Sequence, residues 1–277
     1  MRGRRILSVQ DISCVGQCSL TAALPILSVC GLETAVLPTV VLSTHTGGFT
    51  GYTFRDLGDD ILAIRAHWER EGIRFSAVCT GYLSSPRQVE DVLAVMDMLL
   101  LPGGLRIVDP AMADAGRLYA GLPESLVPAM ARLAFSADVI LPNLTEAAIL
   151  TGLPYRPVCD AGYAQMLTDA LLDGGAKTVV LTGVRRDDAT TGVAVRTRDK
   201  LELYTHPRVE RVCHGTGDVF AAAFTGAYLR GQDAFSAAKL AADFTLESIR
   251  RTLDDPEHWY GVHFEQALPW LMRRLEE

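Results

Sequence analysis

The sequence predicts an α/β fold with a mainly parallel central sheet. Short apolar runs alternate with longer stretches of helical periodicity along the 277 residues, which is the pattern of βαβ units. The first unit has a strand at 5–10, a helix from near Ser19 or Thr21 to Gly31, and a strand at 34–42. The apolar content of 49% is ample for a large core. We find no linker, repeat or low-complexity tract, so we expect a single domain over residues 1–277.

The remaining elements continue this alternation. We expect the first strand to stop before Asp11, and the Pro102-Gly103-Gly104 turn to separate a helix from a strand. Further strands are predicted at 75–80, 105–108, 138–141 and 177–181, with a hairpin at 190–196 and 201–206. Further helices are predicted at 57–72, 86 to about 101, 161–174, from about 218 to Gly231, 234 to about 251, and 264–276.

Charge and hydropathy exclude several classes of partner. The formal charge is −7, and no basic run exceeds a pair such as Arg4-Arg5, which argues against nucleic acid and anionic membranes. The charged start, Met1 to Arg5, resembles a signal peptide, but the apolar run that follows, Ile6 to Val9, is too short for export. No segment has the roughly 18 apolar residues of a membrane span. We therefore expect a cytoplasmic protein that binds small molecules.

Cysteines and lysines narrow the chemistry. Six scattered cysteines with no Cys-x-x-Cys pair indicate reduced thiols, and the spacing of Cys14 and Cys18 matches no common zinc site. The only lysines are Lys177, Lys200 and Lys239, predicted before a strand, in a hairpin turn and within a helix. None is placed to form the Schiff base of a pyridoxal-phosphate enzyme.

The stretch from residue 212 to 231 has the strongest functional signal. Gly215 and Gly217 permit backbone angles closed to other residues, and the first amides of the following helix have no partner within it, so a phosphate-sized anion cradle is expected. Asp218, in the first turn, could simply stabilise the helix start. Alternatively, beside such a cradle it could take a proton from an alcohol during phosphoryl transfer.

The string Gly215-Thr216-Gly217-Asp218 resembles the Gly-Thr-Gly-Asp signature of the ribokinase-like superfamily, and other segments resemble its pyridoxal kinase branch over nearly the whole chain. The resemblance implies a three-layer α/β/α sandwich with a mainly parallel central sheet and no β-lid domain. It also implies that Asp218 is the catalytic base, and that the amides of Gly215, Thr216 and Gly217 form the anion hole.

Two loops and one tripeptide resemble the vitamin pocket of that branch. Residues 11–20 resemble its first substrate loop, but Asp11 stands where the best-known members have serine. Asp11 could cap a helix, or its carboxylate could pair with a protonated ring nitrogen or the ring hydroxyl. Residues 43–48 resemble the Ser-Asn-His-Thr-Gly segment, and Thr80-Gly81-Tyr82 also matches. The substrate-binding residues implied are Asp11, Cys18, Leu42, His45, Thr46, Tyr82 and His214.

Three acids are the expected magnesium site. Asp109 and Asp114 lie in a loop that resembles Asp-Pro-Val-Met-Gly-Asp, with Ala113 in place of glycine, and two carboxylates so placed repel each other unless a cation lies between them. Asn143 and Glu146 match the Asn-x-x-Glu motif and also read as a capping box. The nucleotide and metal contacts implied by the resemblance are Asp109, Asp114, Tyr119, Asn143, Glu146, Thr182, Gly183, Val209, Cys213 and Thr216.

The resemblance therefore implies an ATP-dependent kinase that phosphorylates the 5'-hydroxymethyl group of a B6 vitamer, with Mg²⁺ and K⁺, as a homodimer. No Walker-type Gly-x-x-x-x-Gly-Lys-Ser/Thr string occurs, so the backbone must recognise the phosphates. The alternatives are a hydroxymethylpyrimidine kinase of the same fold and a non-catalytic vitamin or nucleotide sensor.

Overall fold

A computed structural model describes residues 5–185, 187–211 and 213–276. The charged start at residues 1–4, and Val212 within the segment 209–213 that we expected to flank adenine, lie outside the described residues.

Strands and helices alternate through most of the chain. The strands are β1 (Ile6–Ser13), β2 (Thr34–Leu42), β3 (Phe54–Asp56), β4 (Phe75–Thr80), β5 (Leu100–Val108), β6 (Ala113–Asp114), β7 (Arg117–Leu118), β8 (Val139–Ile140), β9 (Thr178–Val184), β10 (Thr190–Arg196) and β11 (Leu201–Pro207). The helices are α1 (Leu20–Val29), α2 (Gly58–Arg70), α3 (Pro86–Leu99), α4 (Leu126–Phe135), α5 (Leu144–Thr151), α6 (Ala161–Asp173), α7 (Thr216–Leu229), α8 (Ala234–Thr252) and α9 (Phe264–Arg274).

The central sheet has the order β11-β10-β9-β8-β5-β4-β1-β2-β3 in the described part of the chain. The six strands from β9 to β2 in this order are parallel, while β3, β10 and β11 are antiparallel to their neighbours. The chain leaves β1 to form β2 on one side and then β4 on the other. Ligands of open α/β sheets bind at such a switch point, beyond the carboxyl ends of the strands.

Helices cover both faces of this sheet, as the predicted three-layer sandwich requires. Leu7 and Val9 of β1 face a core formed with α2 to α6, and Ile6 faces a second core formed with α1, α7, α8 and α9. This alternation follows from the period of two along a strand. The chain passes from β1 to α1 through residues 14–19 alone, which confirms the fold prediction that no β-lid is inserted there.

Two local predictions were wrong, and four elements were not predicted. β1 runs on to Ser13, so Asp11 lies within the strand and is not a helix cap, because a register shift between Gln10 and Ile12 lets Ser13 pair with Leu42 of β2. β5 begins at Leu100, directly after α3, and its Pro-Gly-Gly sequence is absorbed as an irregularity in the pairing with β4. Short β3, the β6–β7 hairpin and helix α4 were not predicted.

No described helix is long and apolar enough to cross a membrane.

Candidate active site

A cleft of about 950 Å³ opens at the carboxyl edge of the parallel strands. It brings together nearly every residue selected from the sequence. The predicted residues that line it are Asp11, Cys18, Leu42, His45, Thr46, Tyr82, Asp109, Asp114, Tyr119, Asn143, Glu146, Thr182, Gly183, Cys213, His214, Gly215, Thr216, Gly217 and Asp218.

Val209 is the exception, because it does not line the cleft. Residue 209 lies beyond the end of β11, the edge strand, whereas the cleft wall is formed mainly by β10 and α8. Their contributions are Thr191, Gly192, Val193, Ala242, Thr245, Leu246 and Ile249. The sequence offered only a weak signal for this wall, namely the helical periodicity of α8.

The anion cradle is built at the start of α7. Gly215 has φ 73°, in the left-handed region, and a Cβ added there would lie 2.4 Å from the carbonyl oxygen of Gln17. Only glycine fits this close approach without strain. The helix begins at Thr216, so the first amides of α7 have no intrahelical partner and face the cleft.

Asp218 lies in the first turn of α7, whose N-cap residue is Gly215. Its carboxylate lies close enough to the backbone N–H of Ser19 for that group to stabilise the ionised form. Burial raises the pKa of Asp218 to about 7, the Ser19 N–H opposes the rise, and the Asp11 carboxylate adds to it. An acid whose pKa is near neutrality can act as a general base at physiological pH.

Asp11 lies on β1, near enough to Asp218 for its charge to act on that acid, and is only 4% exposed. It accepts a hydrogen bond from Ser13 Oγ at 3.0 Å. Burial raises its pKa, and hydrogen bonds from Ser19 and Ser13 oppose that rise. Asp11 is therefore a buried acceptor that faces the cleft and has no cationic partner within the described chain.

The loop between β1 and α1 connects the catalytic elements. Gln17 and Ser19 adopt φ of 51° and 52°, which is uncommon for residues other than glycine. The amide of Gln17 is held on both sides, with Oε1 2.5 Å from His258 Nε2, and with Nε2 donating to Glu265 at 2.6 Å. The segment between α8 and α9 thus supports the loop that presents the Ser19 amide to Asp218.

A cluster of acids occupies the centre of the cleft. Glu146 is 1% exposed and accepts backbone N–H bonds from Met112, Ala113 and Asn143 at 3.1, 3.4 and 2.9 Å. Burial raises its pKa despite these three bonds. Burial and the charges of Glu146 and Asp218 also raise the pKa of Asp109.

These acids suit a divalent cation. Asp114 also lines the cleft, and no lysine or arginine forms an ion pair with Asp109, Asp114 or Glu146 in the described residues. Oxygen ligands with uncompensated charge are the donor set that Mg²⁺ prefers. The extra methyl of Ala113 is fully buried, and its carbonyl accepts a bond from Asn143 Nδ2 at 2.8 Å, so the loop accommodates it.

The predicted capping box at α5 is confirmed. Asn143 Oδ1 accepts hydrogen bonds from the backbone N–H groups of Thr145 and Glu146. In turn, Glu146 Oε2 accepts a hydrogen bond from the backbone N–H of Asn143. Asn143 and Glu146 can therefore both cap α5 and line the cleft, because the cap uses only one oxygen of each side chain.

His45 is held in one neutral tautomer. Its Nδ1 accepts a hydrogen bond from the Gly47 N–H at 3.0 Å, so Nε2 carries the proton and donates to the carbonyl oxygen of Tyr260 at 2.7 Å. Burial lowers its pKa. The ring also contacts Phe49 and His214, with centroids 5.0 and 5.1 Å away.

Neither cysteine of the cleft is a reactive thiolate. Burial raises the pKa of Cys18, with added repulsion from Asp218, and burial raises that of Cys213 as well.

Asp255, His258 and His263 lie close enough together to suggest a metal site outside the cleft. Both ring Nε2 atoms already have partners, however, since that of His263 lies 3.1 Å from Asp255 Oδ2 and that of His258 lies 2.5 Å from Gln17 Oε1.

Comparison with known proteins agrees with this architecture. Residues 20–262 match the family model for phosphomethylpyrimidine kinase. A pyridoxine/pyridoxal/pyridoxamine kinase of Bordetella bronchiseptica is 32% identical over 264 residues, covering 89% of each chain. The chain belongs to the pyridoxal and phosphomethylpyrimidine kinase family.

Two solved structures of this family have the same fold. A Bacteroides thetaiotaomicron protein, provisionally named a phosphomethylpyrimidine kinase and crystallised with pyridoxal, is 34% identical, with a TM-score of 0.92 over 97% of this chain and 95% of its own. The pyridoxal kinase of Lactobacillus plantarum is 31% identical, with a TM-score of 0.90 over 99% and 98%. The ribokinase-like fold expected from the Gly-Thr-Gly-Asp string is therefore confirmed.

Proposed function

We propose that this protein transfers the γ-phosphoryl group of ATP to the 5'-hydroxymethyl group of a B6 vitamer. The observation that carries the proposal is the position of Asp218, a base with a pKa of about 7 directly beside the amide cradle of α7. Relatives over nearly the whole chain that are named for this activity support it.

In this reaction Asp218 removes the proton from the vitamer's alcohol. The alcohol oxygen then forms a bond to the γ-phosphorus while the bond from that phosphorus to the bridging oxygen breaks, and ADP leaves with the electron pair. The amides of Gly215, Thr216 and Gly217 stabilise the negative charge on the transferred group. The proton on Asp218 passes to solvent once the products leave.

Asp109, Asp114 and Glu146 would hold Mg²⁺. Bound there, the ion would neutralise charge on the phosphates. Burial, together with the charges of Glu146 and Asp218, raises the pKa of Asp109, so a cation bound there would be electrostatically favourable. The monovalent ion near the anion hole, K⁺, and the homodimer both remain proposals by analogy with the family.

The vitamer would lie over β1 and β4. Asp11 can accept a hydrogen bond from a protonated ring nitrogen or a ring hydroxyl, and it replaces the serine of the best-known members. Tyr82, beyond the end of β4, presents an aromatic ring suited to stacking on a flat heterocycle. His45, with its Nε2 proton already committed to Tyr260, shapes the pocket together with Thr46.

The nucleotide would lie against β10 and α8. Val193, Leu246 and Ile249 provide an apolar surface for a purine base. Thr182 and Gly183, near the end of β9, also line the cleft, and we assign them the ribose or phosphate contact.

The test is a substrate panel in which pyridoxal, pyridoxine, pyridoxamine and hydroxymethylpyrimidine are incubated with Mg²⁺ and ATP, with and without K⁺, and ADP release is measured. We expect turnover of at least one B6 vitamer, and its loss in Asp218→Asn by roughly 10²- to 10⁴-fold, the usual contribution of a general base. Nucleotide binding should survive, because the substitution preserves shape. Near-normal turnover in this variant would remove Asp218 from the mechanism.

Hydroxymethylpyrimidine phosphorylation is the second candidate, and the matching family model favours it. Both reactions place a primary alcohol at the same base, so only ring recognition separates them. Turnover of the pyrimidine with none of the three vitamers would establish this alternative, and no turnover of any alcohol would favour a sensor.

A further inference from the structure

The charge balance of the cleft is strongly one-sided. Among the described residues that line it, five are acids, namely Asp11, Asp109, Asp114, Glu146 and Asp218, and a single arginine, Arg117, is the only permanent cation. The polyphosphate chain of ATP adds further negative charge. The negative charges of the five acids and the polyphosphate repel one another, and one divalent ion offsets only part of their total charge. A cationic side chain in the cleft would offset a further part.

Arg117 occupies the tip of the β6–β7 hairpin. Ala115 and Gly116, with φ of 49° and 79°, form the two-residue turn, and Arg117 pairs across it with Asp114. Two consecutive residues with positive φ are typical of the tight hairpin turn that matches strand twist. Cross-strand partners project from the same face of a hairpin, and both of these side chains line the cleft.

The hairpin itself is firmly attached beside the acids. The Gly116 N–H donates to Thr145 Oγ1 at 3.0 Å, and the Tyr119 N–H donates to the Met112 carbonyl at 2.9 Å. On its other strand, Ala113 is bonded through its N–H to Glu146 and through its carbonyl to Asn143. The exposed side chain of Arg117, which lines the cleft, is therefore carried by a backbone that is attached beside the acids.

In spite of this acidic setting, the side chain of Arg117 makes no hydrogen bond or salt bridge with the rest of the described chain, and its pairing with Asp114 is through the backbone alone. Other arginines near α5 and β9 are already engaged, as Arg185 is by the carbonyl of Pro157 at 2.8 Å. An unpaired guanidinium that lines the same cleft as the anion cradle has five N–H donors available for a phosphate.

We propose that Arg117 binds the terminal phosphates of the nucleotide. It would supply the cationic side chain that a lysine supplies in proteins with a Walker motif, which this sequence lacks. The inference rests on the proposed function only for the identity of the nucleotide. It adds a side chain to a site whose other phosphate donors are backbone amides, and it explains why a tight hairpin is inserted between β5 and α4.

The experiment is calorimetric titration of the full chain, in magnesium buffer, with ATP, ADP and adenosine. The variants are Arg117→Met, which keeps the length of the side chain, and Arg117→Lys, which keeps the charge but not the bidentate fork. Arg198→Met is the matched control, because Arg198 is an exposed arginine in the other hairpin turn, between β10 and β11, and does not line the cleft.

We expect Arg117→Met to weaken ATP and ADP binding roughly 10- to 100-fold, the effect of losing a hydrogen bond to a charged group. Adenosine binding should not change, and Arg117→Lys should fall between Met and wild type. The proposal would be overturned if Arg117→Met bound ATP and ADP as tightly as Arg198→Met does. It would also be overturned if Arg117→Met weakened adenosine binding as much as it weakened ATP binding. A wild-type protein that binds nucleotide through Arg117 yet phosphorylates no alcohol would refute the kinase and leave this inference standing.

Discussion

The ionisation of one side chain, Asp218, controls the proposed reaction. Its carboxylate lies where burial and the neighbouring charge of Asp11 both favour the protonated form, and only the Ser19 amide favours the ionised one. A protonated Asp218 cannot accept the proton of the alcohol, so the fraction of active enzyme depends on pH in the neutral range.

We therefore predict that kcat/KM rises about tenfold per pH unit below the pKa and levels off above about 7. In the ternary complex the positive charge of bound magnesium would lower the pKa that governs kcat, and the negative charge of the nucleotide phosphates would oppose that change. Initial rates between pH 5.5 and 8.5 measure both. A flat profile across this range would show that burial does not raise this pKa in solution.

Two glycines of the cradle differ in how much they constrain the backbone. Gly215→Ala would place a Cβ 2.4 Å from the Gln17 carbonyl oxygen at a positive φ, whereas a Cβ at Gly217 has no atom within 4 Å. We expect Gly215→Ala to lower the free energy of unfolding by roughly 1 to 3 kcal/mol. Gly217→Ala should melt at the wild-type temperature, and thermal unfolding without ligand compares the two. Equal melting points would mean that the Gln17 contact is not maintained.

At the scale of elements, helix α5 is joined to the β5–α4 connection through one side chain. Glu146 accepts three backbone N–H bonds, from Met112, Ala113 and Asn143, at the point where the acids meet. This explains how an acid with an elevated pKa persists at a buried position, since its oxygens are the only partners provided for those amides.

Removal of this side chain should be costly. Glu146→Ala leaves three buried N–H groups without an acceptor, and we expect a loss of roughly 2 to 5 kcal/mol in the free energy of unfolding. Glu146→Gln retains one acceptor oxygen and should lose less. Urea unfolding measures both, with Glu124→Ala, an exposed acid, as the control. A loss no larger than that of the control would contradict the bonding described here.

For the molecule as a whole, the acids of the cleft oppose folding when they ionise. The pKa values of Asp11, Asp109, Glu146 and Asp218 are all raised in the folded protein. The folded state thus holds more protons than the unfolded state above the ordinary range of a carboxyl group, and the resulting stability is lost as the pH rises through the folded pKa values.

We predict that the melting temperature of the ligand-free protein falls as the pH rises from the ordinary carboxyl range, about 4, to the folded pKa of Asp218, about 7. His45 and His258 reduce the slope at the acidic end, because their pKa values are lowered in the folded protein and unfolding lets them take up protons. Magnesium and ADP should stabilise the protein more at pH 8.5 than at pH 6.5, since they offset the ionised acids. Scanning calorimetry tests this, and Asp218→Asn should flatten the pH dependence. A melting temperature independent of pH would contradict it.

Much of the fold could be predicted because βαβ units are encoded locally. Apolar runs with a period of two and helices with a period of 3.6 placed β2 and β4 at their observed bounds, and the Asn143 and Glu146 spacing identified a real capping box. The end of β1 was misplaced, because pairing with β2 overrode the local signal of Asp11. The two-residue strands of the β6–β7 hairpin are too short to produce a periodic pattern.

The sequence by itself determined the fold class and about half of the residues that line the cleft, because glycine, acid and hydroxyl strings at strand ends have local physical reasons to be there. Only the tertiary structure showed that β10 and α8 line the cleft and Val209 does not, that the Asp218 carboxylate lies at the Ser19 backbone, and that the Arg117 side chain has no bonding partner in the described part of the chain. These facts depend on which distant segments meet. Sheet order and helix packing decide which segments come into contact, and no single stretch of the sequence determines these contacts.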